Sequence, residues 1–183
     1  ETGYELDGVI IMGTGHQPTP MVLAGKALAD ITRFIKGDRY RSRLISKIMF
    51  GAYNKRIKNV RTSNDWLTRD ETVVDEYNAG KLTTFLFTVN GYRGLMNMIL
   101  YVRKPRNIAK IPKNLPMLMV SGLDDPVGEY GKGVYRAYNT YHGHIDDIDL
   151  RLFEDCRHEL CNELNKEEIY EEIYGWIMNH MSK

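Results

Sequence analysis

Two short segments carry the residue types that acid–base chemistry needs, in an order that would let them meet. They are Ser121-Gly122-Leu123-Asp124-Asp125-Pro126-Val127-Gly128 and Asp155-Cys156-Arg157-His158-Glu159-Leu160. Each follows an apolar run that reads as a strand: Leu115 to Val120 before the first, and Ile148, Leu150 and Leu152 alternating before the second, ending near Phe153. In open α/β sheets, functional groups sit on the loops beyond the carboxyl ends of the strands. Adjacent strands lie about 4.8 Å apart, so side chains on neighbouring loops come within hydrogen-bonding reach. A carboxylate beside an imidazole fixes its tautomer and stabilises the imidazolium, and the imidazole then deprotonates a hydroxyl nucleophile. Asp125 and Asp124 are rivals for the carboxylate, and His158 is the candidate base. The competing reading makes the acidic pair a turn that caps the helix after Pro126, and His158 a solvated loop residue.

The elements that would position these residues follow from periodicity. Leu6-Asp7-Gly8-Val9-Ile10-Ile11-Met12, stopped by Gly13-Thr14-Gly15, fits a strand buried on both faces of a parallel sheet. Gly131 to Tyr141, with Val134, Tyr138 and Tyr141 at helical spacing, stands between the second and third strands and makes a parallel strand–helix–strand unit. Ile169, Ile173, Trp176 and Ile177 form one stripe on a last helix expected to cover the sheet.

Roughly a hundred residues separate the first two strands, against about 2–6 in an ordinary α/β connection. The sequence predicts helices there. Thr19 is expected as an N-cap with Pro20 in the first turn, then Ala24, Leu28, Ile31 and Ile35 on one face and Gly37 as the stop. Ile45, Met49 and Ala52 suggest a second helix, a Thr68-Arg69-Asp70-Glu71 capping box a third, and Leu95 to Val102 a fourth ended by Pro105. The expected division is a core of residues 1–16 and 112–183 with a helical insertion at 17–111.

Composition narrows the function classes. Of 183 residues, 43% are hydrophobic and 27% charged, and the formal net charge is +1, so electrostatics give no pull toward nucleic acid or anionic membrane. No apolar run approaches the roughly 20 residues of a bilayer span, and no basic-then-apolar leader opens the chain, so the expectation is a cytoplasmic protein without an integral membrane segment. Cys156 and Cys161 would close only a tiny loop and are expected as free thiols. His142-Gly143-His144 is expected to be a surface loop, so neither metal nor cofactor is expected. Met96, Met98, Tyr92 and Tyr101 read as the core of the insertion or the lining of an acyl pocket, and Trp66 as packing within the insertion. Glu1 in first place, with an apolar strand close behind it, suggests a segment of a larger protein.

Leu118-Met119-Val120-Ser121-Gly122-Leu123-Asp124-Asp125-Pro126-Val127 and Arg157-His158-Glu159-Leu160-Cys161-Asn162-Glu163 resemble the acid and histidine motifs of bacterial α/β-hydrolases of the lysophospholipase, monoacylglycerol lipase and serine aminopeptidase group. Arg61-Thr62-Ser63-Asn64-Asp65-Trp66-Leu67-Thr68-Arg69-Asp70 is similar to a segment of their lid. The resemblance implies the C-terminal part of an α/β-hydrolase fold, with three parallel strands, flanking helices and a helical lid at 17–111. Its Gly-x-x-Asp pattern maps the acid onto Asp125, with Gly122 as the glycine, and the base onto His158. It also implies a Gly-x-Ser-x-Gly elbow upstream of Leu6. Ser42, Ser46, Ser63, Ser121 and Ser182 are the serines present, and none has glycines at both flanking positions of that motif.

The expected function is therefore that of the C-terminal part of a serine hydrolase cleaving lipid-like esters through an acyl-enzyme, partnered by the missing N-terminal half. A non-catalytic fragment or binding module, or a peptidase of the same fold, is the alternative. With its neighbouring strand missing, Leu6 to Met12 would be an open edge, and a homodimer through it is expected.

Overall fold

A computed structural model describes residues 6–181; the ends of the expected core division and Ser182 lie outside them. Three strands, β1 (Val9–Met12), β2 (Met117–Gly122) and β3 (Ile148–Phe153), form a parallel sheet in the order β1-β2-β3. Val9 pairs with Met117 and Met12 with Val120, while Met117 pairs with Ile148 and Gly122 with Phe153. The strand ends that precede the Asp125 and His158 loops are therefore in register.

Every residue of β2 is buried, and its alternation feeds two cores. Leu118 and Val120 pack with Leu160, Ile169 and Trp176, so the stripe on α7 (Lys166–Met181) covers one face. Met117 and Met119 pack with Ala137 of α6 (Lys132–His142) and with Ile145 on the other. Complete burial of a Leu or Val contributes about 1.5–3 kcal/mol, so these pairs anchor the sheet between its helices. β1 starts at Val9 and not at Leu6, which is exposed. Its ladder partner begins at Met117 because Pro116 lacks an N–H and only accepts, from Val9.

Between β1 and β2 lie α1 (Thr19–Lys36), α2 (Arg43–Phe50), α3 (Glu71–Ala79), α4 (Val89–Val102) and α5 (Pro105–Ile108), with a 3-10 turn at Tyr53–Arg56. Several expected details are corrected. Pro18, not Thr19, is the N-cap of α1, and no side chain caps it. Asp70, not Thr68, caps α3, its carboxylate accepting from the N–H groups of Thr72 and Val73. α4 starts six residues earlier than Leu95, at Val89, because the Thr88 hydroxyl caps it; it ends at Val102 as expected, and Pro105 also opens α5.

The core face of α1 also differs from the expected one. Val22 and Ala29 are buried, while Ala24, Ile31 and Ile35 are exposed, along with Phe34. The cause is α4. Its Met96 reaches so close to Gly25 that a Cβ there would lie 2.7 Å from the Met96 methyl, so the small residues Gly25 and Ala29 set the line of approach. Tyr92 and Met96 are core, whereas Met98 and Tyr101 are exposed. Among the described residues, no helix is long and apolar enough to cross a membrane.

Candidate active site

The turn after β2 presents Asp125 inward. Its N–H donates to the Gly122 carbonyl, and its own carbonyl accepts from Tyr130. The side chain is fully buried, with Oδ1 accepting from the Val127 N–H at 2.8 Å. That leaves Oδ2, which lies 3.0 Å from Nδ1 of His158. Asp124 is exposed and uses only its backbone here, donating to the Cys156 carbonyl. The structure thus brings His158 against Asp125, the acid that the resemblance implies, and separates it from its rival Asp124.

Close approach of the two loops depends on glycines. A Cβ on Gly122 would fall inside the carbonyl oxygens of Cys156 and Arg157, so no other residue fits without moving the histidine loop. At Gly13, φ is +62° and a Cβ would stand 3.0 Å from His158 Cε1, a conformation and a space both suited to glycine. In the sequence, Gly13-Thr14-Gly15 reads only as the stop of a strand. In the fold, Gly13 makes room for the imidazole and Gly15 for the Val127 carbonyl.

The histidine loop leaves β3 through Asp155, which has a left-handed backbone, φ 52°. It closes on Glu163, whose fully buried carboxylate accepts from the Arg157 N–H at 2.7 Å and from Arg69 Nε at 2.9 Å. The segment expected to pack within the insertion lies directly on this loop. Trp66 stands with its ring centroid 5.2 Å from that of His158, tilted by 45°, and Tyr53 meets Trp66 edge-on at 4.9 Å. Burial, reinforced by the nearby Asp125 charge, pushes the Tyr53 phenol up to about 12, so it is neutral at physiological pH. The neighbouring Arg56 lies over Tyr130 at 3.6 Å, joining the insertion to the acid loop as well.

Ser121, at the end of β2, is fully buried with its hydroxyl 3.5 Å from Asp125 Oδ2; a group closed inside the sheet cannot meet a substrate. Cys156 and Cys161 are both free. Burial raises the Cys156 thiol above its ordinary value, which keeps it from the reactive thiolate form. Of the expected surface histidines, His144 donates from Nε2 to the Ile111 carbonyl at 2.7 Å and His142 lies against Tyr138, so the two rings serve separate contacts. Asp147, Asp149 and His180 gather their polar atoms within 4.8 Å. Hydrogen bonding satisfies much of that group: Trp176 Nε1 donates to Asp149, His180 Nδ1 donates to the Trp176 carbonyl, and His180 Nε2 lies 3.4 Å from Asp147.

A sequence model of the family described as serine aminopeptidase, S33, matches residues 1–165. No curated protein matches the chain in sequence. Among solved structures, a highly thermostable carboxyl esterase from Bacillus coagulans, in complex with glycerol, superposes with a TM-score of 0.83 at 21% identity, over 98% of this chain and 57% of its own. A lipase in its open form gives 0.84 at 21%, over 100% and 60%. A monoacylglycerol lipase of Paleococcus ferrophilus gives 0.63 at 17%, over 96% and 60%. At such identities the likeness is one of fold, the α/β-hydrolase fold, and the chain spans less than two thirds of the length of each of these proteins.

Proposed function

The chain belongs to the serine aminopeptidase S33 family of α/β-hydrolases, and from that premise we propose that it supplies the acid and base of a serine hydrolase acting on carboxylic esters of lipophilic acyl groups. The observation that carries this reading is the 3.0 Å approach of His158 Nδ1 to Oδ2 of the buried Asp125, at the carboxyl ends of adjacent parallel strands. Asp125 accepts the Nδ1 proton, which leaves Nε2 as the basic nitrogen. That nitrogen takes the proton from a serine hydroxyl as it attacks the ester carbonyl and returns it to the departing alcohol; water then releases the acid by the same path.

In this proposal the nucleophile belongs to an N-terminal half, in a Gly-x-Ser-x-Gly elbow that none of the five serines here provides. One oxyanion donor follows the nucleophile in such folds and the other lies in an early loop, so that half brings the oxyanion hole too. The 183-residue chain alone is then catalytically silent. Residues 17–111 act as the lid. Support comes from their exposed apolar side chains, Ile31, Phe34, Ile35, Phe85 and Phe87 among them, which suit the shielding of an acyl chain from water. A lysophospholipid or monoglyceride is the substrate this favours. The free thiols suit a reducing, cytoplasmic setting.

The test is hydrolysis of a p-nitrophenyl ester series, short to long acyl, by the intact protein. Turnover lost by several orders of magnitude in His158→Ala, with a preference for longer chains, is the expected result. Preference for an aminoacyl amide over every ester would favour a peptidase, and no His158-dependent turnover would favour a non-catalytic module.

For the isolated chain the proposal includes a homodimer. β1 pairs only with β2 among the described residues, so its second edge is open to another strand. Two copies pairing antiparallel near Val9 and Ile11, with Leu6 at the margin, would close it. Light scattering is expected to give twice the monomer mass; a wild-type monomer at high concentration would contradict the pairing.

A further inference from the structure

His158 sits on a loop, and catalytic precision is not a property that a loop has by itself. Its two chain neighbours are both held from the same distant segment. The Glu159 N–H donates to the Leu67 carbonyl at 2.7 Å, and Arg157 donates from one guanidinium nitrogen to the carbonyls of Asp65, at 2.6 Å, and Thr68, at 2.9 Å. Between these anchors the Trp66 ring lies beside the imidazole.

The segment is itself fixed. The buried Asp65 carboxylate accepts from the N–H groups of Arg61 and Thr62 and from the Thr62 hydroxyl. Burial would raise the Asp65 pKa, but these bonds outweigh it and hold the group below the ordinary carboxylate range, charged and acting as the knot of the turn. At the other end, the Thr68 hydroxyl donates to the Asn162 carbonyl and Arg69 binds Glu163.

From this arrangement we infer that Arg157 and Trp66 are positioning residues for His158: the guanidinium sets the height of its backbone, and the indole sets the plane of its ring against Asp125. The inference rests on the reading of His158 as the base. Asp125 alone fixes one nitrogen but leaves the ring free to swing about that bond. The indole beside the ring, the close approach of Gly13 to it and a clamped backbone remove that freedom. Arginine suits the anchor because the two N–H bonds of its Nη1 are held in the fixed plane of the guanidinium, one for each carbonyl, where an ammonium on a flexible stem holds them less rigidly. A misplacement of about 1 Å can cost roughly 100-fold in rate.

The experiment needs no nucleophile and uses the 183-residue chain. Long-range proton–nitrogen correlation spectra report the His158 tautomer, with the amide signals of β2 as the measure of intact fold. In the wild type, one species protonated at Nδ1 is expected. In Arg157→Gln and in Trp66→Leu, the β2 signals are expected to persist while His158 becomes a mixture of both tautomers. Trp66→Leu, at a half-buried site, decides if Arg157→Gln does not fold. Unchanged His158 signals in the folded variants would overturn the positioning role alone. A wild-type His158 already divided between tautomers would overturn the catalytic reading, and this inference with it.

Discussion

Asp125 meets His158 with the carboxylate oxygen that Val127 leaves free: Oδ1 accepts the Val127 N–H at 2.8 Å, and Oδ2 faces Nδ1 at 3.0 Å. The backbone of the turn thereby chooses which oxygen the imidazole meets. This division has a consequence for the amide isostere. In Asp125→Asn, the backbone N–H claims the single carbonyl oxygen, so the amide N–H₂ turns toward His158. Nδ1 must then become an acceptor, the proton moves to Nε2, and the nitrogen that should act as base is blocked.

A loss of kcat/KM on the order of 10³- to 10⁴-fold is expected for Asp125→Asn in the intact protein, somewhat less than for His158→Ala. Asp124→Asn should change little, since Asp124 is exposed and contributes its backbone. Equal sensitivity at the two positions in steady-state kinetics would contradict the assignment.

Glu163 is expected to be worth more to stability than any exposed ion pair. Its carboxylate is fully buried, and its partners, the N–H groups of Arg157, Arg69 and Leu164 and the Arg69 guanidinium, are all donors. Glu163→Ala strands those donors and is expected to cost about 3–5 kcal/mol in urea unfolding. Glu163→Gln should cost less but not nothing, because its amide must set a donor against a donor. A loss below about 1 kcal/mol for the alanine variant would remove Glu163 from its place at the centre of the loop.

How much of this was legible in the sequence varies with the kind of signal. The β3 alternation of Ile148, Leu150 and Leu152 and the α7 stripe of Ile169, Ile173 and Trp176 are local periodicities, and the fold follows them. α1 carries two apolar stripes, and pattern alone favoured the larger side chains. The one that packs was selected by Gly25 and Ala29, whose small size matters only once α4 is in place. Asp125 could not be told from Asp124 by residue type, because the turn that buries one and exposes the other is a matter of backbone geometry. The hold of Arg157 on Asp65 and Thr68 left no trace in the sequence either, since its acceptors are main-chain carbonyls that any residue would present.

Tyr53 should leave a mark on alkaline stability. Its pKa rises on folding from 10.0 to about 12, so the unfolded chain loses this proton at lower pH than the folded one. The stabilisation is fully present below pH 10 and is lost as pH rises through the folded value. Tyr53→Phe removes that dependence. Chemical unfolding at intervals from neutral pH upward should show the wild type losing stability more steeply than the variant above pH 10, by on the order of 2 kcal/mol in all. Parallel curves would show that the phenol ionises alike in both states.

The most direct test of the proposal as a whole is covalent capture of the nucleophile by a fluorophosphonate, read by peptide mass spectrometry on the intact protein. A single modified serine is expected, located N-terminal to Leu6 within a Gly-x-Ser-x-Gly sequence, with a labelling rate that falls by several orders of magnitude in His158→Ala. Labelling of a serine within the described residues, or labelling that proceeds at the wild-type rate without His158, would contradict it.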